Sequence, residues 1–284
     1  SIAESPEFVD NSSTPFSHAE VTSVGKWRQD ILVGTSNLQT TGGRVWSASR
    51  ALLNYLELSW ASLGLPTPVR MLELGAGTGW LGMTLARNIP ASPSNAIHLT
   101  EQPGKALEWL NENIAANLAR GLPLRSVSTS GLDWIEAGDS GEGPPFEVSA
   151  NQAADLHMVF GADLVYDDVG VDWFPRVVLA FLQKNPGLIV LYCHQLHRFS
   201  DIDSDFFKTM CALGLQYQVV AAEGKQSRQD LDHDLRFLEM GDETFMEKSH
   251  KHTSVVFQIR LSTSAQSFLP WSSALSSTSR RSRL

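Results

Sequence analysis

Short apolar runs alternate with amphipathic stretches along the chain, and the alternation predicts an order of elements. Leu52, Tyr55, Leu56, Ser59 and Leu63 recur on one face of a predicted helix over 50–63, the spacing of a helix that buries one stripe. The segment Leu65-Pro66-Thr67-Pro68-Val69 ends it, because proline disfavours helix at itself and at the residue before. An apolar run over 69–74 stops at Gly75, as a strand buried on both faces does. Helices are predicted over 80–88, 104–118, 168–183 and 204–213, and further strands over 96–100, 124–129, 156–162, 188–193, 217–221 and 253–261. The clearest helix is 104–118, with Leu107, Leu110, Ile114 and Leu118 as its stripe. Strand-helix-strand alternation predicts an α/β fold: a seven-stranded, mostly parallel sheet with helices on both faces. Strands six and seven lack such a joining helix and are expected as an antiparallel pair at an edge.

Three stretches fall outside this pattern. Residues 1–24, with Pro6 and Pro15, read as a flexible lead-in to one domain over 25–261. Residues 136–153 are rich in Gly, Pro, Ser and acid, and read as a surface loop. Residues 262–284 are Ser-rich and end Arg280-Arg281-Ser282-Arg283-Leu284, which reads as a disordered tail or a basic docking tail.

Charge narrows the partners. With 22 Lys+Arg against 31 Asp+Glu the formal charge is −9, which argues against nucleic acid as partner. No apolar run reaches the ~18 residues of a membrane span, so no membrane association is expected. Cys193 and Cys211 both sit among apolar neighbours and lack a CxxC spacing; two buried free thiols are the expectation. The first residues carry no targeting pattern, and the cytoplasm is the expected compartment. The pairs His194/His197 and His250/His252 lack the further ligands of a zinc set, so no metal is expected.

The strongest chemical signal is Glu73-Leu74-Gly75-Ala76-Gly77-Thr78-Gly79, between a predicted strand and a predicted helix. Gly75, Gly77 and Gly79 allow a tight turn and a close backbone approach to a ligand, and the next helix aims its first N–H groups at the same place. The alternative is a glycine turn without a ligand. Glu101 ends the next strand, where a carboxylate meets a ribose diol in doubly wound folds; otherwise it is a solvated surface acid. No serine-hydrolase elbow and no phosphate-loop lysine motif occur.

The glycine motif resembles motif I of class I, seven-strand S-adenosylmethionine methyltransferases, and the resemblance covers roughly residues 40–261. It implies a Rossmann-like sheet and S-adenosyl-L-methionine as cofactor. Three further segments are similar to one branch, the protein-lysine methyltransferases of chaperones and elongation factors. They are Gly43-Arg44-Val45-Trp46, Leu132-Asp133-Trp134, and Gly161-Ala162-Asp163-Leu164-Val165-Tyr166. The segments Val45–Ser49 and Phe160–Tyr166 look most like elongation-factor-2 lysine methyltransferases. The branch often has an acid after the first Trp, and this chain has Ser47. The resemblance implies cofactor contacts at Trp46, Glu73, Gly75, Ala76, Gly77, Gly79, Glu101, Trp134 and Ala162. It makes Asp163 and Tyr166 the catalytic pair. Otherwise Trp46 anchors its helix, Trp134 packs under a loop, and Asp163 caps the following helix.

Methyl transfer from a sulfonium needs nucleophile and methyl carbon aligned near attack distance. A lysine amine attacks only when neutral, and its reference pKa is about 10.4. Asp163 at a strand end can attract and orient the amine while water carries the proton away, and Tyr166 offers an aromatic wall and a hydroxyl. The expectation is therefore a monomeric methyltransferase acting on a lysine of a protein substrate, an elongation factor or chaperone. The alternatives are a small-molecule or RNA acceptor, and a non-catalytic scaffold of the same fold. The acids Glu136, Asp139 and Glu142 are expected to join Asp163 in a surface that attracts a lysine-bearing protein.

Overall fold

The structure is a computed structural model that describes residues 26–34, 43–135, 155–196, 200–223 and 253–262. The expected lead-in, the acidic loop with Glu136, Asp139 and Glu142, the histidines His197, His250 and His252, and the Ser/Arg-rich tail lie outside the described residues.

Seven strands form one sheet: β1 (Arg70–Glu73), β2 (Ala96–Glu101), β3 (Val127–Gly131), β4 (Met158–Ala162), β5 (Ile189–Leu196), β6 (Leu215–Glu223) and β7 (Thr253–Leu261). Their order is β3-β2-β1-β4-β5-β7-β6. The pairs among β1 to β5 are parallel, and β7 runs antiparallel to both β5 and β6. The expected antiparallel edge pair is present. The strand that opposes the others is β7, one place in from the edge.

Side chains alternate across this sheet and build two cores. Leu72, Val159, Val190, Tyr192 and Phe257 face α4 (Asp168–Lys184) and α5 (Ser200–Ala212). Met71, Phe160, Leu191, Cys193 and Val256 face α1 (Ser47–Ser59), α2 (Trp80–Asn88) and α3 (Lys105–Ala119). Both faces are covered, which is why these strands read as continuous apolar runs. Two pairings fix the centre of the sheet, Leu72 opposite His98 and Leu72 opposite Val159. Among the described residues no helix is long and apolar enough to cross a membrane.

Three local expectations need correction. On α3 the fully buried residues are Leu110, Asn113, Ile114 and Asn117, while Leu118 is 43% exposed. The two asparagines occupy the inner face because they bind backbone. Asn117 Oδ1 accepts from Leu32 N–H (3.0 Å) and its Nδ2 donates to Leu32 O (2.6 Å). Asn113 Oδ1 accepts from Gly34 N–H (2.8 Å). They hold residues 26–34 as a strap whose Ile31 and Val33 are buried. Second, Cys211 is exposed and only Cys193 is buried. The inner face of α5 is Asp203, Ser204, Phe206, Phe207 and Met210; position 211, about 100° round the helix from Met210, lies at the margin of that face and is exposed. Third, α1 starts at Ser47 rather than near residue 50 and ends in a tight turn at Trp60–Ser62.

Candidate active site

The sheet order reverses between β1 and β4, and ligands of such folds bind beyond the carboxyl ends of the strands at this point. A cleft of about 250 Å³ opens there. Of the residues singled out from the sequence, Trp46, Glu73, Gly75, Ala76, Gly77, Glu101, Trp134, Ala162, Asp163 and Tyr166 all line it. Gly79 does not.

The turn after β1 is built from left-handed glycines: Gly75 at φ 55°, Gly77 at φ 55° and Gly79 at φ 76°. It is tied to its neighbours by Leu74 N–H to Phe160 O (2.9 Å) and Ala76 N–H to Thr100 O (2.9 Å). A Cβ at Gly75 would stand 2.5 Å from Leu164 Cδ2, so this position is closed to side chains by the loop after β4. Gly79 is closed from the other side: a Cβ there would stand 2.4 Å from Leu110 Cδ1 of α3. Its role is to let α2 start tight against the sheet. That is the physical reason it is absent from the cleft wall.

Glu101 is locked to the turn. Its Oε2 accepts from Gly77 N–H (2.6 Å) and its Oε1 from Gln102 N–H (3.0 Å). Burial raises its pKa, and the two amide contacts work against that rise. The surface-acid alternative therefore does not hold. Glu73 is buried, and its Oε2 has no hydrogen-bond partner. Its pKa is raised well above the ordinary carboxylate value, first by burial; the nearby Gly82 backbone opposes the rise and the Glu101 charge adds to it. A desolvated carboxyl with an empty oxygen beside a cleft is a site that gains from a cationic or hydrogen-bond-donating ligand.

On the opposite wall, Asp163 follows β4 with φ 56°, a left-handed conformation rare outside glycine and tolerated best by Asn and Asp. Asp163 N–H donates to Cys193 O (2.8 Å), which continues the β4–β5 ladder by one bond before the chain reverses. Asp163 is not the helix cap. Asp167 is: its Oδ1 accepts from Gly170 N–H (2.8 Å) at the start of α4. The aspartate leaves its mark on its neighbours: after burial, the Asp163 charge is the next cause raising both the Tyr192 and the Cys193 pKa.

The aromatic walls come from elements distant in sequence. Trp46 sits at the extended residue before α1, and Trp134 packs against Phe174 of α4 with ring centroids 6.0 Å apart. Both line the cleft. Sequence reasoning missed Trp80, Arg44, Asp133, Asp167, Val169 and Ile135, which also line it. Arg44 and Asp133 lie inside segments already singled out, and Trp80 directly follows the glycine motif, so adjacency was the available signal. The Trp80 indole Nε1 is buried without a partner, and the Arg50 guanidinium lies 5.3 Å over its ring.

Comparison with known proteins is consistent with this geometry. The profile of a family described as lysine methyltransferase matches residues 27–212, more than half of the chain. Protein N-lysine methyltransferase METTL21A of Danio rerio is 29% identical over 151 residues, 52% of this chain and 59% of that protein. Protein-lysine N-methyltransferase EFM3 of Chaetomium thermophilum is 28% identical over 152 residues, 54% of this chain and 42% of that protein. Ribosomal RNA small subunit methyltransferase G of Bradyrhizobium diazoefficiens is 30% identical over 96 residues, 34% of this chain and 35% of that protein. The chain thus spans between a third and three fifths of the curated relatives it matches.

Proposed function

Since this chain belongs to the lysine methyltransferase family, we propose that it transfers methyl groups from S-adenosyl-L-methionine to a lysine side chain of a protein. The observation that carries the reading is the charge of the cleft wall: Asp133, Asp163 and Asp167 line it, and Arg44 is the one lining cation among the described residues. An acidic cleft favours a cationic acceptor and disfavours a phosphate-bearing one.

The residues present fit the cofactor. Gly75, kept free of a side chain by Leu164 behind it, leaves its bare backbone on the cleft, Glu101 presents a fixed carboxylate for a diol, and Glu73 offers a buried oxygen in need of a partner. Glu73, Gly75, Ala76 and Gly77 would hold the amino-acid end, Glu101 the ribose, and Trp46, Trp134 and Ala162 the flat base and the walls. Gly79 has a packing role in this reading. When bound, S-adenosylmethionine supplies an electrophilic methyl group on a cationic sulfur.

Asp163 draws the lysine ammonium to the strand end and then orients the neutral amine along the line of displacement. The proton leaves to water. With the cofactor bound, its methyl group would pass to the amine that Asp163 orients, and the cofactor would leave as the neutral thioether. Tyr166, which lines the same cleft, walls the lysine stem. The protein acts as a monomer in the cytoplasm on an elongation factor or chaperone and not on nucleic acid.

The test uses labelled cofactor, a cell extract and an Asp163→Asn variant. Asparagine tolerates the left-handed backbone, so this substitution removes charge without breaking the turn, which alanine would strain. Label is expected in protein lysines, with transfer by Asp163→Asn reduced at least ~100-fold and S-adenosylhomocysteine affinity kept. Mass spectrometry of the labelled band identifies the substrate. Label in RNA alone, or a fully active Asp163→Asn enzyme, refutes the reading.

A further inference from the structure

Behind the Asp163–Tyr166 turn lies a chain of buried polar groups that the proposed reaction does not use. Tyr192 and His194 lie two apart on β5 and so share a face; Asp203 comes from α5. All three are essentially inaccessible to solvent. The Tyr192 hydroxyl accepts from two consecutive amides of the turn, Leu164 N–H and Val165 N–H, each at 3.2 Å. It also meets His194 Nδ1 at 3.0 Å, and His194 Nε2 meets Asp203 Oδ1 at 2.7 Å.

The donors and acceptors leave one consistent arrangement. An oxygen that already receives two N–H groups gives its own hydrogen to His194 Nδ1. The imidazole hydrogen is then on Nε2 and donates to Asp203, an assignment made from the hydrogen-bond pattern. Two consecutive amides converging on one atom form a nest of the kind that usually holds an anion. Here a neutral hydroxyl fills it, oriented by the histidine and, through it, by the aspartate.

We propose that Tyr192, His194 and Asp203 are positioning residues for methyl transfer. They pin the turn that carries Asp163 and Tyr166, so that the strained backbone of Asp163 has a single position. This inference rests on the acceptor site proposed above. The remaining contacts of the turn agree with it. Leu164 is wedged between Gly75 and Gly161, where added Cβ atoms would come within 2.5 and 2.6 Å of its methyls. A Cβ at Gly170 would stand 2.6 Å from Leu164 O. These contacts hold Leu164 and its carbonyl; the amides of Leu164 and Val165 are held by the Tyr192 hydroxyl. Phe174 and Phe206 enclose the tyrosine ring, with centroids 4.5 and 5.7 Å away.

Three variants test it. Tyr192→Phe removes one oxygen and leaves both amides without an acceptor. We expect kcat to fall ~10- to 100-fold, the cost of a misplaced reacting group, with S-adenosylhomocysteine affinity within about twofold of wild type. Asp203→Asn keeps an oxygen that accepts from His194 Nε2 and is expected to retain activity; Asp203→Leu is expected to resemble Tyr192→Phe. That rescue separates positioning from general loss of packing. Wild-type kcat in Tyr192→Phe, or parallel losses of kcat and cofactor affinity, overturns the proposal. Amide hydrogen exchange is the second measurement: Leu164 and Val165 should exchange faster in Asp203→Leu, relative to Leu74 N–H, which follows β1 and is bonded to Phe160 O. Unchanged exchange overturns the tether, including when Tyr192→Phe does not fold or when the wild-type protein methylates no lysine. That last outcome refutes the acceptor site and not the tether.

Discussion

Glu73→Gln gives the most telling test of how the cofactor end of the cleft is built. The wild-type carboxyl is buried with one oxygen unpartnered, and burial holds its pKa well above the ordinary carboxylate value. A carboxyl with a folded pKa above its unfolded one keeps a proton that the unfolded chain has released. Stability is therefore whole below the unfolded value, about 4.3, and is lost as pH rises toward the folded value. A difference of one proton gives a slope of about 1.4 kcal/mol per pH unit within that window. Glutamine does not ionise, so the variant lacks the slope. Glu101 is also raised by burial, but it is present in both proteins and cancels to first order in their difference. Urea unfolding of both proteins at fixed salt, from about pH 5 to about pH 8, measures that difference. The variant should gain on wild type with increasing pH, at a slope approaching ~1.4 kcal/mol per unit and flattening above the folded pKa. It should also lose affinity for S-adenosylhomocysteine, a trade of stability against binding. Parallel stability curves across the range would refute the reasoning, because the Glu73 carboxyl would then titrate alike in both states.

Two further substitutions test the frame around the cleft. Gly79→Ala combines a left-handed backbone with a 2.4 Å approach to Leu110 Cδ1; a loss of roughly 2–4 kcal/mol is expected in thermal or urea unfolding. Asn117→Leu makes this buried position of α3 apolar and removes both partners of the Leu32 backbone; it should cost roughly 2–4 kcal/mol and open residues 26–34 to limited proteolysis.

Much of the frame was legible because its physics is local. The run around Leu72 is apolar on both sides because helices cover both faces of the sheet, so an uninterrupted run was the right signal for a central strand. The turn over 75–79 was legible because only glycine takes φ near +55° or +76° at little cost. Asn113 and Asn117 defeated the pattern: an amide that pairs with a buried backbone is as good a core residue as leucine, and hydropathy does not register the partner. Cys211 failed for the opposite reason, since apolar neighbours in sequence point to different sides of a helix.

The sequence by itself determined the element order, the place of the glycine turn, and the acids that flank it, since these follow from periodicity and from what each backbone can adopt. Tertiary structure alone decided which of those residues meet. It turned Gly79 toward α3, brought Gly77 N–H to Glu101, and left Glu73 Oε2 without a partner. It also set Tyr192 under two amides of a turn 27 and 28 residues away. These are contacts between strand ends and helices distant along the chain, and their hydrogen bonds and desolvation exist only once the sheet order is set.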